Sequence, residues 1–358
     1  MAKKVALILI NYQQYANKYL ADCLASIKKQ DYLGEIKVYI VDNASSLESF
    51  HFLREQAPDA EIIRNENNDG FAKGNNDAIK IALDEGFEYI LLLNMDTISD
   101  QSVVSKMVSL IESDEKIAAV QARLMLHPET NLVNSLGNNT HFLGFGYCQN
   151  YRDDYKQTLT QRKNKKNNKI FYPSGAAVLF RSSVLQEIGL FDESYWMYNE
   201  DQDLGWRVWL AGYSCLLAEE AVVYHKYEFS RSMSKYYFMD RNRLISILKN
   251  YHIITLLLIF PAALLMELGL LFFSIFNGSL KEKLKTWFYF LNIKNWKRIC
   301  SQRRQIQRNR RRKEKEIIKM ISARIWYQEV GSFGLRLANL FFSIYFYFVR
   351  LIINILNV

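Results

Sequence analysis

Short apolar runs alternate with amphipathic stretches over the first 120 residues of the chain. Buried strands that alternate with helices are typical of an α/β domain with a doubly wound, Rossmann-like, mostly parallel sheet. Ligands bind to such sheets at the carboxyl ends of the strands. The pattern predicts strands at Val5–Ile10, Ile36–Val41, Ala60–Ile63, Tyr89–Leu93 and Ile117–Val120, with helices near 16–30, 47–56, 72–86 and 101–113.

The first apolar run follows two lysines, as the hydrophobic part of a secretory signal would. Val5–Ile10 holds only six residues, however, and no small-residue cleavage site follows it. We therefore interpret it as the first strand of the sheet. A further helix is expected near 200–212.

The pattern changes after about residue 240. Ile253–Phe276 is an apolar stretch interrupted by Pro261 and Glu267, and Leu335–Leu356 is a second one. We therefore predict two parts, an α/β domain over 1–235 and a helical, basic, membrane-associated region over 236–358.

The first apolar stretch is long enough to cross a bilayer, for which about 20 residues suffice. A single crossing would place the basic segment 281–319 outside the cell, against the positive-inside tendency. Pro261 breaks or kinks a helix, and Glu267 is costly at mid-bilayer. We expect a broken, partly inserted helical pair with both ends cytosolic, although a span stays open.

The second apolar stretch carries one polar stripe. Its members are spaced by three or four residues and fall within an arc of about 80° on a helix. This predicts a helix in the membrane interface or against an apolar partner, with packing on the protein's own core as the alternative. The stripe consists of Arg336, Asn339, Ser343, Tyr347, Arg350, Asn354 and Asn357.

Composition adds that the two parts differ in charge. The chain has 358 residues and a net charge of +9, yet residues 241–358 carry +16 and residues 1–240 carry −7. Hydrophobic residues make up 49% of the chain, which excludes a disordered protein. The basic part indicates an anionic membrane surface as partner, and we expect no nucleic acid because no recognition fold accompanies it.

Polar groups follow three of the predicted strands. Asp42 can accept hydrogen bonds from a nucleobase or ribose, and Asp96 can hold Mg²⁺ or Mn²⁺. In 67–76, two glycines and Lys73 open a helix whose N-terminus attracts phosphate. Taken singly, helix caps and an ordinary Asn/Gly turn explain the same residues.

Acids and aromatic residues are dense over 191–207. The adjacent carboxylates Glu200 and Asp201 repel each other, which raises a pKa and suits a general base. Trp196 offers a flat apolar face to a sugar ring. The pair Asp203 and Arg207, four residues apart, has a structural explanation as a helical ion pair.

Seven short sequence motifs follow one another along the chain: LILINY, VDNAS, NNDGFAKGNN, LLLNMDT, PSGAAVLFRSS, IGLFDESYWMYNEDQDLGWR and AGY. Together they cover about residues 4–230 and resemble family 2 glycosyltransferases with the GT-A fold, closest to a bacterial rhamnosyltransferase-like branch. The run from Tyr237 to Arg312 resembles the membrane-associated tail of that branch. The QxxRW motif of the processive synthases of this broad family is absent from the sequence. We therefore expect the enzyme to add one sugar or a few, and not a long polymer.

The resemblance implies an inverting, metal-dependent transfer of a sugar, with rhamnose as one choice, from a nucleotide diphosphate sugar. Asp201 would be the catalytic base beside Glu200, and Asp96 and His225 would hold Mn²⁺ or Mg²⁺. Asn94 replaces a first carboxylate, which implies weaker metal binding. The substrate would contact Asn11, Asp42, Asn43, Gly70, Phe71, Lys73, Asn75, Asn76, Asn94, Ser174, Gly175, Trp196 and Arg207.

The acceptor that the resemblance implies is a lipid-linked or membrane-proximal glycan at the cytoplasmic face of a bacterial membrane, in surface polysaccharide assembly. A homo-oligomer stays open. The alternative is an inactive GT-A scaffold that recruits assembly partners. A nucleotidyltransferase is disfavoured, since no Gly-rich phosphate loop follows Val5–Ile10. The basic stretch 161–169 is a connector or a lid over an anionic substrate.

Overall fold

The computed structural model describes residues 2–162, 168–227, 233–324, 326 and 333–358. The core of the basic stretch 161–169, expected to be a connector or a lid, therefore lies outside the described residues. Two compact units result. The first comprises Met1–Asn138, Cys148–Val208 and Tyr213–Glu228, and the second comprises Asn139–Tyr147, Trp209–Gly212 and Phe229–Val358.

The division assigns two short segments of the first 235 residues to the second unit, which no pattern in the sequence indicated. The boundary near 235 stays a prediction. The strands of the described residues are β1 (Val5–Asn11), β2 (Ile36–Asn43), β3 (Glu61–Asn65), β4 (Tyr89–Leu93), β5 (Thr97–Ser99), β6 (Ile117–Leu126), β7 (Val133–Ser135), β8 (Asn138–Thr140), β9 (Gly146–Cys148), β10 (Lys169–Ile170), β11 (Ala177–Arg181) and β12 (Ser214–His225).

Helices lie between the strands and make up most of the second unit, as the periodicity predicts. The described helices are α1 (Tyr15–Ile27), α2 (Leu47–Gln56), α3 (Gly70–Asp84), α4 (Val103–Glu112), α5 (Tyr155–Arg162), α6 (Ser182–Ile188), α7 (Glu200–Leu210), α8 (Met233–Asn250), α9 (Ile253–Phe276), α10 (Leu280–Leu291), α11 (Ile293–Arg308), α12 (Glu314–Ile317) and α13 (Phe333–Leu356), with a 3₁₀ turn at Glu193–Tyr195.

One mixed sheet organises the first unit. Its order is β10-β12-β6-β11-β4-β1-β2-β3, with β5 beside β12 and β7 beside β6. Neighbouring strands among β4, β1, β2 and β3 are parallel, and so are β6 and β12, whereas β11 is antiparallel to both of its neighbours. All five predicted strands are confirmed. The antiparallel insertion of β11 is a long-range pairing that the local pattern does not reveal.

The parallel strands bring their carboxyl ends to one edge of the sheet. Asn11, at the end of β1, is in register with Asp42 near the end of β2. Strand β4 ends at Leu93, and Asn94 and Asp96 follow directly. Apolar side chains of α1 and α4 pack into the core, which holds these strands in position. The strand-end residues singled out by sequence therefore share one edge.

In the second unit, α9 and α13 are long and apolar enough to cross a membrane by length and composition. The expected break at Pro261 is wrong, because α9 is continuous from Ile253 to Phe276. Pro261 lies inside the helix and is exposed, and its missing N–H removes one backbone hydrogen bond of the helix.

Helix α13 has three faces instead of two. Phe342, Phe346, Val349 and Ile353 are buried within the second unit, and the ring of Phe346 stacks on Phe142 at 4.5 Å. Packing on the protein's own core is thus correct for this face. The polar stripe flanks it, and a second apolar face opposite remains exposed.

Part of the basic segment has a structural role that the charge pattern did not predict. Arg303 Nη1 donates to the carbonyls of Leu248 and Tyr251, both at 2.6 Å, and Gln307 and Arg310 donate to Asn250. The last carbonyls of a helix lack partners within the helix and favour nearby cations. These side chains therefore cap the C-terminus of α8.

Candidate functional site

The site begins with a buried pair at the ends of β1 and β2. Asn11 Nδ2 donates to Asp42 Oδ1 at 2.7 Å, while Asn11 Oδ1 accepts from the backbone N–H of Ala16 in α1. Asp42 Oδ2 has no hydrogen bond within the described residues, and the nearest cation is Arg64 Nε at 3.7 Å. Asp42 thus keeps one oxygen available to a ligand donor, at the cost of a buried unsatisfied atom.

Asn43 connects the next strand end to the start of α3. Its Nδ2 donates to the carbonyl of Gly70 at 3.1 Å, and its Oδ1 accepts from Asn65. A Cβ at Gly74 would lie 2.9 Å from Asn43 Nδ2, so only glycine lets the helix approach this closely. The glycine-rich motif at the start of α3 therefore allows this helix to pack closely on the end of β2.

The segment before α7 packs on the first turn of α3. Trp196 accepts a hydrogen bond from Ala72 N at its carbonyl oxygen, and its ring Nε1 donates to the carbonyl of Asn68. Trp196, Tyr198 and Asn199 all have φ between 61° and 66°, which is costly for residues other than glycine. Such strain, of order 1–3 kcal/mol each, clusters at functional sites.

Phe71, Gly175 and Asp201 form the next contact. Gly175 N donates to Asp201 Oδ2 at 3.4 Å, and Gln202 N donates to Asp201 Oδ1 at 2.7 Å. A Cβ on Gly175 would lie 3.0 Å from Phe71 Cζ. Backbone N–H groups thus orient the Asp201 carboxylate beside the first turn of α3.

Burial dominates the electrostatics of Glu200 and Asp201. Desolvation raises the pKa of Asp201 to about 6, partly offset by the N–H groups of Gln202 and Gly175. Desolvation, and then the charge of Asp201, raise the pKa of Glu200 to about 8. Burial thus raises the pKa of both carboxyls, and that of Glu200 further, so Asp201 ionises first and is the one suited to accept a proton.

Asp96 and His225 meet at the same edge. Asp96 Oδ1 is 3.2 Å from His225 Nε2, and Asn134 Oδ1 is 2.9 Å from His225 Nδ1. With the proton on Nδ1, facing that oxygen, Nε2 presents a lone pair to a carboxylate oxygen that has no hydrogen bond within the described residues. Neighbouring ligands of one octahedral Mg²⁺ or Mn²⁺ lie about 3 Å apart, so the two atoms fit a shared cation.

No group of three or more His, Cys, Asp or Glu side chains that could hold a metal occurs in the described part of the chain. Two protein ligands leave the other positions to water and phosphate oxygens, as is usual for Mg²⁺. Asn94 donates its backbone N–H to the carbonyl of Ala176. This hydrogen bond connects the segment that carries Asp96 to the Ser174–Ala177 turn.

Four expected substrate contacts are engaged within the protein. Asn76 bonds both polar ends of its amide to Phe191, and Asn75 donates to the Phe71 carbonyl. Lys73 pairs with Asp77 at 2.8 Å. Arg207 binds Asp203 and donates to the carbonyls of 188, 189 and 190. In Arg207 and Asn76 these buried donors take part in long-range packing, and a substrate role for either residue stays a prediction.

Two residues of the site were missed by the sequence analysis. Asn134, in β7, orients the imidazole of His225, and Gln121, in β6, accepts a hydrogen bond from Ser174 N at 2.8 Å. Both are buried polar residues that lie in strands of the sheet. An amide inside an apolar strand is the signal that could have indicated them, since buried polar groups require partners.

Comparison with known proteins identifies the family. The family model described as glycosyl transferase family 2 matches residues 6–189, just over half of the chain. Within the matched range lie the first turn of α3, Asp96 and the Ser174–Ala177 turn.

An N-acetylglucosaminyltransferase from Bradyrhizobium elkanii is 33% identical over 110 residues, which are 30% of this chain and 58% of that relative. The chain thus spans less than two thirds of the relative's length. GalNAc-T7, solved with UDP, GalNAc and Mn²⁺, aligns with a TM-score of 0.52 at 12% identity, over 70% of this chain and 48% of that one. Together with the mixed sheet, this confirms the GT-A fold.

A contact test is available at Gly70, whose φ is +87° and whose added Cβ would lie 2.3 Å from the Trp196 carbonyl. Gly70→Ala should lower the free energy of unfolding by about 2–4 kcal/mol, from strain plus overpacking. Gly86→Ala is the matched control, since its φ is +78° and nothing lies within 4 Å. Denaturant unfolding that gave equal losses for both variants would contradict the Trp196 contact.

A pH test follows from the raised pKa of Glu200. Between about pH 4.5 and 8 the folded state keeps a proton that the unfolded state releases, so this group's stabilising contribution falls as pH rises. Glu200→Gln removes that dependence and should be more stable than the wild type at pH 8, by about 1 kcal/mol or more. The exposed Glu115→Gln serves as control, and parallel wild-type and Glu200→Gln curves in denaturant unfolding from pH 5 to 8 would refute the assignment.

Proposed function

Because this chain belongs to glycosyl transferase family 2, we propose that it transfers a sugar from a nucleotide diphosphate sugar to an acceptor hydroxyl with inversion. One observation carries the proposal. Asp42, Asp96 and Asp201 come from three distant segments and lie around the carboxyl edge formed by β1, β2 and β4. Their surroundings suit three tasks, which are nucleotide binding, metal binding and proton transfer.

On the donor side, Asp42 Oδ2 accepts a hydrogen bond from the base or ribose. Asn11 supports this role by occupying the other oxygen, so that the carboxylate has one orientation. The diphosphate lies near the first turn of α3, where the helix dipole favours negative charge. Lys73 reaches it by exchanging its ion pair with Asp77 for a phosphate. Trp196 and Phe71 offer aromatic surface to the donor sugar.

In the chemical step, the acceptor oxygen attacks the anomeric carbon and the bond to the diphosphate breaks. The acceptor proton moves to Asp201, whose oxygens are oriented by the N–H groups of Gly175 and Gln202. A base that titrates near pH 6 is ionised at neutral pH and still accepts a proton readily. No covalent enzyme intermediate is required.

Asp96 and His225 hold a divalent cation, Mn²⁺ or Mg²⁺. Such an ion, when bound, neutralises the negative charge that grows on the leaving diphosphate. An imidazole ligand favours Mn²⁺ over Mg²⁺. The Mn²⁺ named with GalNAc-T7, which shares this fold, supports a metal requirement.

Rhamnose is the donor sugar that the resemblance implies, and the name of the Bradyrhizobium relative makes N-acetylglucosamine its competitor. The acceptor we propose is a lipid-linked or membrane-proximal glycan of bacterial surface polysaccharide, reached at the cytoplasmic face. The two apolar helices α9 and α13 support membrane attachment. A hydrolysis screen of dTDP-rhamnose, UDP-N-acetylglucosamine and other nucleotide sugars with each metal separates these donors.

Asp201→Asn should lower turnover by about 10²- to 10⁴-fold, the usual contribution of a general base, with donor affinity near that of wild type. Donor hydrolysis and calorimetric titration of UDP or dTDP measure the two quantities. Glu115→Gln, an exposed carboxylate change, should leave both unaltered. Normal turnover by Asp201→Asn would refute the base. Donor binding without turnover in the wild type would favour the scaffold alternative.

Metal binding is testable without activity. His225→Ala and Asp96→Ala should abolish measurable Mn²⁺ binding in calorimetry, since each removes one of two protein ligands. Asn134→Ala should weaken it by about 10- to 100-fold, because an outer partner fixes the imidazole. Asn131→Ala, an exposed amide on the same connection, is the control. Wild-type Mn²⁺ affinity in His225→Ala would remove His225 from the site.

A further inference from the structure

The second unit exposes far more apolar surface than a core helix would leave. Only 11% of the most apolar window of α9 and 22% of that of α13 is buried. One face of α9 is apolar over its whole length and open to the surroundings. Its exposed members, spaced by three or four residues, are Leu257, Phe260, Leu264, Leu268 and Phe272.

Helix α13 presents a matching face beside it. The two helices pack on each other, and Tyr345 of α13 donates its hydroxyl to the carbonyl of Leu258 in α9. The apolar face of α13 lies opposite the side that packs on the second unit. Its exposed members are Leu337, Leu340, Ile344, Phe348, Leu351 and Ile355. Contiguous surfaces of this size mark interaction sites.

The positive charge of the second unit indicates which partner covers the exposed apolar faces of α9 and α13. The exposed apolar residues Leu291 and Ile293 lead directly into α11, whose exposed side carries Lys294, Lys297 and Arg304. A second copy of the chain would bring the same positive charges to a shared interface and be repelled. An anionic leaflet supplies both acyl chains and negative headgroups, so it complements both features.

A buried ion cluster decides the orientation of α9. Glu267, in the second half of the helix, pairs with Arg243 of α8 and with Lys283 of α10, and Asp240 binds both of these cations. Helix α9 is thus fastened at Glu267 to α8 and α10. Charged Lys281 and Lys285 are exposed on α10. Crossing the bilayer would carry them into the hydrocarbon, which is costly.

Both ends of α9 are also held by polar groups of the same unit. At its start, the backbone N–H of His252 donates to Glu314. Past its end, Ser279 and Lys283 are buried in polar contacts. Helix α13 ends nearby, where the terminal Val358 carbonyl accepts from Lys315 N, next to Glu314. Both ends of α9 are therefore attached to polar groups of the second unit.

We propose that α9 and α13 lie side by side in the plane of one anionic leaflet and that neither crosses the bilayer. Their exposed faces enter the acyl chains, and Lys294 and Lys297 contact the headgroups. This rests on the membrane attachment proposed above and adds its geometry. The Glu267 cluster faces the protein and keeps α9 flat.

Flotation of the full-length protein with vesicles tests the docking. We expect binding to phosphatidylcholine vesicles that contain about one third phosphatidylglycerol, and weaker binding to pure phosphatidylcholine. Ile355→Ser should weaken binding about tenfold, a loss equivalent to about 1.4 kcal/mol. Asn354→Ser is the matched control, one residue away on the polar stripe, and should bind like wild type. Equal binding by both variants, or no binding to anionic vesicles, would overturn the proposal.

Depth measurements test the orientation. Fluorescent labels on Leu257→Cys, Leu264→Cys and Phe272→Cys, in a background without native cysteines, should be quenched alike by lipids brominated at a shallow position. A deep centre with ends accessible from opposite sides would establish a span and overturn the proposal. Donor hydrolysis by the same samples in detergent is scored separately, so failure of docking is distinguishable from failure of the transferase.

Discussion

The contact between Trp196 and the first turn of α3 joins two parts of the candidate site, which are the start of α3 and the start of α7. Gly70 has no Cβ, so the Trp196 carbonyl reaches the N–H of Ala72 and the indole covers the turn. The same short segment then enters α7 with Glu200 and Asp201 at its start. Three positive φ values are tolerated here because hydrogen bonds and packing from both sides determine the backbone. The segments proposed to bind the donor and to accept the proton are thereby directly connected.

Exclusion of water is the second constraint, and it gives similar carboxylates different properties. Asp201 is oriented by two backbone N–H groups and ionises near neutral pH, whereas its neighbour Glu200 lacks comparable donors and retains its proton. Asp96 instead lies 3.2 Å from Nε2 of His225. The protonation of a buried carboxylate depends on the donors within about 3 Å, which is why we propose different roles for Asp201, Glu200 and Asp96.

Charges in the second unit have two separate uses. Arg303 and Arg310 cap the C-terminus of α8, and Arg243 and Lys283 neutralise Glu267 and Asp240 inside the unit. The remaining cations, such as Lys294 and Lys297, are exposed. The total of +16 over 241–358 therefore overstates the charge that is available to a membrane.

The sequence by itself indicated the strands, the helices, the strand-end residues Asp42 and Asp96, and Asp201 in the predicted helix near 200–212, because hydrophobic periodicity and the family's motifs are local. It also indicated the apolar helices and their polar stripe. The tertiary structure alone decided that Arg207 and Asn76 serve packing, that Asn134 orients His225, that α9 stays continuous through Pro261 and that β11 enters antiparallel. Each of these features depends on partners distant in the chain and on burial. The spacing of residues along one segment encodes neither the distant partners nor the burial.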